Sequence, residues 1–260
     1  MVVVNTTKPC FWYFISYNHI IFYKKLGFIF KQFAIEQDQT AMKIGTDGVL
    51  IGAWAYVDNC KKIVDIGTGT GFIALACAQR CNDAEIAAVE IEQNAYYQAS
   101  TNFNNSKFDN RITPYLSDFR QWSKNYYQQF DCAVSNPPYF TNSLKPNNYA
   151  RNIARHEDSL KFKDLIPCVK YILKPNGFFS VIIPFDQVSD FVKICTKNQL
   201  YLFRKTDVYS VEDKSPIRSM LSFSKDYKLP LNQNNLIIRT KDNKFSQQYF
   251  NLTKDFYLHL

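Results

Sequence analysis

The chain has 260 residues, enough to bury a full core in one large domain or two small ones. With 21% charged and 46% hydrophobic residues it is neither disordered nor collagen-like. Its 31 basic residues against 23 acidic ones leave a net charge of +8, which points to an anionic partner without naming one. Aromatic residues reach 16%, so they either fill the core or offer a surface on which flat ligands stack.

Residues 1–27 stand apart. The apolar run Phe11–Phe22 is twelve residues long with Asn18 and His19 inside it, too short to span a bilayer. Lys24 and Lys25 follow the run instead of preceding it, which does not suit a signal peptide. This extension is a strand, an interfacial segment or the product of a start assigned too far upstream, and residues 28–260 are expected to form a single domain. No membrane association is expected.

From Lys61 the chain alternates strand-like and helix-like segments. Lys61–Ile66, Glu85–Glu90, Ile112–Leu116, Phe130–Ser135 and Gly177–Pro184 are short apolar runs rich in Val, Ile and aromatics. Thr70–Cys81, Gln93–Asn105, Phe162–Leu173 and Gln187–Lys197 show helical apolar spacing. Leu200–Tyr209 and Arg218–Ser224 add two strands with no helix between them, so this pair must be antiparallel. The expectation is an α/β fold, with a mostly parallel seven-stranded sheet, helices on both faces and an antiparallel last strand.

The seven cysteines (Cys10, Cys60, Cys77, Cys81, Cys132, Cys168 and Cys195) are odd in number and contain no C-x-x-C pair. They read as reduced thiols of a cytoplasmic protein. Cys77 and Cys81 share a helix face but lack partner ligands, so no metal site is expected.

Two loops carry the chemistry. Three of the eight glycines fall in Asp65-Ile66-Gly67-Thr68-Gly69-Thr70-Gly71, where the first strand of the alternating region meets its helix. Glycines there let the backbone turn sharply and approach a ligand that a Cβ would block. The spacing is not the dinucleotide G-x-G-x-x-G, and no Lys-Ser/Thr follows, which argues against a phosphate-cradling loop. Glu90 ends the next strand, where a carboxylate can hold ribose hydroxyls, and Asp118 follows the third, within reach of an adenine amino group.

Asn136-Pro137-Pro138-Tyr139 directly follows the fourth strand, and ligands of open parallel sheets bind at that end. Two prolines stiffen the loop and remove local N–H donors. The Asn136 amide oxygen and a proline carbonyl can then accept from one NH2 group, while Tyr139 offers a flat face to a planar base or amide. An exocyclic amine is a poor nucleophile because its lone pair is delocalised into the ring. Two fixed acceptors favour the pyramidal form, and holding an electrophile in line supplies the rest, with no general base or metal required.

Together these loops resemble the class I S-adenosylmethionine-dependent methyltransferases, in the amino-group subclass marked by N-P-P-Y. Phe30-Lys31-Gln32-Phe33, Ala41–Leu50 (AMKIGTDGVL), Gly52-Ala53-Trp54, Asn136–Phe140, Ala154-Arg155-His156, Ser215–Arg218 and Asp255–Leu258 narrow the resemblance to bacterial valine-tRNA adenine-37 N6-methyltransferases. The resemblance covers residues 28 to the C-terminus and implies the Rossmann-like fold, S-adenosylmethionine as cofactor and the valine tRNA anticodon loop as partner of a cytoplasmic monomer. It implies that Asp65, Gly67, Gly69 and Gly71 surround the methionine part of the cofactor, Glu90 its ribose and Asp118 its adenine. Thr46 and Asp47 would lie over the sulfonium end, although T-D-G alone reads equally as a turn. Asn136, Pro137, Pro138 and Tyr139 would hold the target adenine, with Asn136 also facing the cofactor. Phe140, Arg155, His156, Lys205 and Arg218 complete the substrate set. Arg155-His156 either contacts phosphate or precedes a solvated helix start, and His156 is a candidate proton acceptor.

Other readings are an rRNA or DNA adenine-N6 or release-factor glutamine-N5 methyltransferase, and a non-catalytic RNA-binding protein that keeps the fold. The charge is uneven: residues 1–150 hold 13 basic and 12 acidic residues, and residues 151–260 hold 18 and 11. Lys161, Lys163, Lys170, Arg204, Lys205, Lys214 and Arg218 are therefore candidates for phosphate contacts.

Overall fold

The computed structural model describes residues 27–40, 43–138 and 160–259. Tyr139, Phe140, Arg155, His156 and the extension before Gly27 lie outside these residues. A short hairpin, β1 (Phe28–Ile29) with β2 (Ala34–Ile35), precedes α1 (Thr46–Trp54). Then come β3 (Lys62–Ile66), α2 (Phe72–Arg80), β4 (Glu85–Glu90), α3 (Gln93–Asn104), β5 (Ile112–Leu116), α4 (Phe119–Trp122) and β6 (Phe130–Ser135). The chain continues through α5 (Phe162–Ile172), β7 (Leu173–Pro184), α6 (Val188–Lys197), β8 (Tyr201–Val211), β9 (Arg218–Ser224), β10 (Asn232–Arg239) and α7 (Gln247–Thr253).

The sheet order is β10-β8-β9-β7-β6-β3-β4-β5. β7, β6, β3, β4 and β5 run parallel, and β9 lies antiparallel between β7 and β8. Two details differ from the expectation. Among the described residues the sheet has eight strands, because β10 pairs in parallel with β8 at the edge, and β10 rather than the antiparallel β9 is therefore last of them in the chain. The expected α/β architecture and the antiparallel β8–β9 pair are otherwise present.

Central strands are apolar on both faces because helices cover both. In β4, Ile86 and Ala88 join one core cluster and Ala87 and Val89 the other. Ile63 and Val64 of β3 divide in the same way, as do Cys132 and Ala133 of β6. Cys60, Cys77, Cys81, Cys132 and Cys195 are buried free thiols. Among the described residues no helix is long and apolar enough to cross a membrane.

Helix α1 is absent from the elements that the sequence predicts. Thr46 and Asp47 are its first two residues. A Cβ on Gly52 would stand 2.9 Å from the Ala76 Cβ, so the missing side chain lets α1 and α2 pack closely. The far end of α1 is pinned as well: the Trp54 indole N–H donates to Thr206 Oγ1 at 3.0 Å, and Arg204 lies 4.1 Å over the Trp54 ring. The C-terminal end of the helix is thereby fixed against β8.

Candidate functional site

The glycine loop connects β3 to α2, with Gly67, Gly69 and Gly71 all at positive φ. Gly71 precedes the first residue of α2 at φ +86°, and a Cβ there would stand 2.4 Å from the Phe103 ring. Strain and overlap act together, so Gly71→Ala is expected to destabilise the fold by about 3 kcal/mol, measured by chemical denaturation. Among the described residues, a Cβ on Gly67 would meet no protein atom within 4 Å. The Gly67 position therefore leaves open the space that a side chain would occupy beside the cavity below.

Asp65 anchors the loop from inside. Its Oδ2 accepts from Thr68 Oγ1 at 2.5 Å and from the Ala74 N–H at 3.1 Å, while Oδ1 is buried without a hydrogen-bond partner among the described residues. Burial outweighs these bonds and pushes its pKa up to about 7. The folded value lies above the unfolded value of about 3.9, so this group's stabilising contribution is greatest below pH 4 and is lost as pH rises through 7. Relative to Asp65→Asn, which does not titrate, the wild type is expected to lose about 2–4 kcal/mol between pH 4 and 7, then hold level. Urea melts of both proteins across that range measure the difference.

Glu90, only 8% exposed, ties three elements together. Its Oε2 accepts from the Gly69 N–H at 2.9 Å, and its Oε1 accepts from the N–H groups of Ile91 and Glu92, both at 2.9 Å. A carboxylate offers about four lone-pair positions, so one remains, on Oε2, for a ligand hydroxyl. Asp118 accepts from the Arg120 backbone N–H at 2.8 Å and from its guanidinium at 2.6–3.0 Å. These bonds to Arg120 hold the Asp118 carboxyl below the usual carboxylate range.

A cavity of about 240 Å³ opens at the carboxyl ends of β3, β4, β5 and β6, where strand order reverses. Gly67, Gly69, Glu90, Asp118, Asn136, Pro137 and Pro138 line it, together with Thr40, Ile91, Ala95, Ser117, Phe119, Ser135 and Leu160. Asp65 and Gly71 do not line it; they shape the loop from beneath. Thr40, Ser117 and Phe119 carry no motif that would have announced them. The lining suits a nucleoside joined to an amino-acid chain: a glycine cradle, a carboxylate with one open acceptor position, and apolar walls from Ile66, Val89 and Phe119.

A second cavity, of about 590 Å³, lies on the other side of Asn136, Pro137 and Pro138, which line both. Lys43, Thr46, Asp47, Ser210, Ile217, Arg218 and Arg239 are among its other walls. Thr46 and Asp47 thus face this cavity and not the one beside the glycine loop. Asp47 Oδ2 accepts from Arg218 Nε at 2.8 Å, joining the start of α1 to the start of β9. The resemblance implies that Asp47 lies at the positive sulfonium end of the cofactor; in the structure its carboxylate meets Arg218, and two further cations, Lys43 and Arg239, line the same space.

Not all the candidate phosphate contacts are equivalent. Lys205 pairs with Asp207 at 2.9 Å, both side chains being largely buried, and Arg204 is stacked on Trp54, where burial lowers its pKa. Both are committed to packing within the protein. Lys170 donates to Gln199 Oε1 on the surface, and Lys214 is exposed.

A family model described as the methyltransferase small domain matches residues 48–162, which hold both loops. A tRNA1(Val) (adenine(37)-N6)-methyltransferase from Bacteroides fragilis is 42% identical over 234 residues, covering 90% of this chain and 98% of that protein. One of the same name from Pasteurella multocida is 38% identical over 236 residues, with the same coverage of both chains. Among solved structures, a predicted O-methyltransferase from Agrobacterium tumefaciens matches with a TM-score of 0.66 at 20% identity, over 81% of this chain and 96% of that one. That likeness speaks for the fold; identity at this level over nearly the full length speaks for descent, and the chain belongs to the tRNA1(Val) (adenine(37)-N6)-methyltransferase family.

Proposed function

We propose that this protein transfers a methyl group from S-adenosylmethionine to the exocyclic N6 of adenine 37, beside the anticodon of a valine tRNA. The observation that carries the reading is a shared wall: Asn136, Pro137 and Pro138 border both the cavity at the glycine loop and the larger one beyond it. A rigid loop between two cavities is the geometry that passing a group from one ligand to another requires.

S-adenosylmethionine supplies an electrophilic methyl group on a sulfonium. The chain's own residues do the positioning. Gly67 and Gly69 let the backbone come close to the bound ligand, and Glu90 holds the loop while accepting from a ribose hydroxyl. Asp118 borders the adenine end of the cavity, its carboxylate fixed by Arg120. Ser135 Oγ donates to the Ile66 carbonyl at 3.0 Å, tying the end of β6 to the end of β3. That tie fixes the base of the Asn136 loop relative to the glycine loop.

In the second cavity the target adenine presents its N6 amine to the Asn136 amide oxygen and to a carbonyl of the proline pair. Accepting both amine protons pulls the nitrogen from planarity and directs its lone pair through the loop toward the cofactor cavity. The N6 proton leaves to water after transfer, so no buried base has to be assigned. Arg218, oriented by Asp47, and Lys43 meet the phosphates of the entering nucleotide.

The test is transfer of labelled methyl to total tRNA from a strain lacking the modification, followed by nucleoside analysis. Label in N6-methyladenosine is the expected result. Label found only in protein would overturn the reading in favour of a glutamine substrate.

A further inference from the structure

Arg239 closes the eighth strand and lines two spaces: the cavity beside the Asn136 loop and a neighbouring groove of about 500 Å³ that runs over the β10–α7 turn. Its guanidinium carbon lies 4.3 Å from the Phe245 ring centroid. The Phe245 ring in turn stacks on Tyr249, with centroids 4.8 Å apart and planes inclined by 15°. Three flat groups therefore form one pile, with Arg239 at its end.

The pile is held rigidly. Arg239 Nη1 donates to the Asn243 carbonyl at 2.7 Å. The turn beneath it closes through Thr240 N–H to the Lys244 carbonyl at 2.9 Å and Asn243 N–H to the Thr240 carbonyl at 3.0 Å. Ser246 welds the turn to α7: its hydroxyl donates to the Ile237 carbonyl and accepts from the Tyr249 N–H. Phe245 remains 38% exposed. Among the described residues no carboxylate pairs with Arg239. A guanidinium seated over an aromatic ring, paired with no acid among the described residues and lining two cavities, is a surface for an electron-rich planar ligand.

We propose that the Arg239–Phe245–Tyr249 pile is a stacking platform for the nucleobase adjacent to the target adenine. The inference rests on the reading that the second cavity receives that adenine. Taking a base out of an RNA loop strips its neighbour of a stacking partner. A platform on the wall of the receiving cavity replaces the lost partner, and base stacking on aromatic and guanidinium planes is a general device of single-stranded RNA recognition. It also gives a task to β10, the strand that the seven-stranded expectation lacked.

The experiment uses the full chain and an RNA hairpin with the valine tRNA anticodon loop, with intact or abasic nucleotides next to adenine 37. Arg239→Ala and Arg239→Lys are both expected to raise KM for the intact hairpin by about ten-fold, with kcat and cofactor affinity within about two-fold of wild type. On one of the abasic hairpins the wild type is expected to lose a similar factor, and Arg239→Ala to lose little more. Unchanged cofactor affinity reports that the variants are folded, and the abasic RNA tests the wild type without any substitution. Recovery of wild-type KM by Arg239→Lys would mean that charge alone matters and would overturn the proposal. So would equal further losses by wild type and Arg239→Ala on every abasic hairpin. A wild type inactive on the intact hairpin would sink the adenine-37 reading itself, and the platform with it; an active wild type without coupling sinks the platform alone.

Discussion

Asn136→Ala is expected to lower methyl transfer by about 10²–10³-fold, the range seen when one preorganised polar group at a reacting centre is removed. S-adenosylmethionine affinity should stay within about three-fold of wild type, because Asn136 touches the cofactor cavity only at the wall it shares with the second. The loss should fall on kcat, since the hydrogen bond to N6 is worth most when the nitrogen is pyramidal. Asn136→Asp keeps an acceptor oxygen and should retain more activity than alanine. Steady-state kinetics paired with calorimetric cofactor binding measure both parts. Equal losses of binding and turnover would show that Asn136 holds the cofactor rather than the amine.

Glu90→Ala has the second large effect, and for a different reason. The wild-type carboxylate accepts from the N–H groups of Gly69, Ile91 and Glu92. Truncation leaves all three without that acceptor and frees the glycine loop from β4. We expect about 2–4 kcal/mol of lost stability and at least about ten-fold weaker cofactor binding. Glu90→Gln is expected to be nearly as harmful to binding, because its amide must point an NH2 at one set of N–H donors. At saturating cofactor the kcat of Glu90→Gln should approach wild type, opposite to the pattern for Asn136→Ala. A Glu90→Gln protein with unchanged affinity would contradict this account of the carboxylate.

The alternating region was legible because its pattern is local. β4, β5, β6 and β9 begin and end where the apolar runs do, and α2, α3, α5 and α6 lie within a residue or two of the spacing that foretells them. The glycine loop and Asn136-Pro137-Pro138 were legible for a similar reason: each is a contiguous run whose backbone demands show in residue type. Helix α1 was hidden because Val49–Trp54 is apolar around most of its circumference and contains Gly52, so it shows little amphipathic period. β10 was hidden by its polarity, since Asn232–Asn235 are exposed on an edge strand and only Leu236 is buried.

Side-chain pairing across long sequence separations was not legible at all. Asp47 and Arg218 stand 171 positions apart, and nothing local says that the carboxylate meets a guanidinium of the same chain. Lys205 shows the converse, since its charge counted toward a basic surface until Asp207 was found against it. The composition of residues 151–260 therefore overstates the charge available to RNA. Within the described residues, the cations beside the Asn136 loop are Lys43, Arg218 and Arg239, two of them from strands at the far side of the sheet.

The central claim is that the Asn136 loop presents adenine 37 of a valine tRNA to the cofactor cavity. The most direct measurement is methyl transfer to two transcripts of that tRNA, identical except that one carries guanine in place of adenine 37. The account predicts N6-methyladenosine in the first, mapped to position 37, and none in the second. Equal methylation of both transcripts, or label at another position, would contradict it.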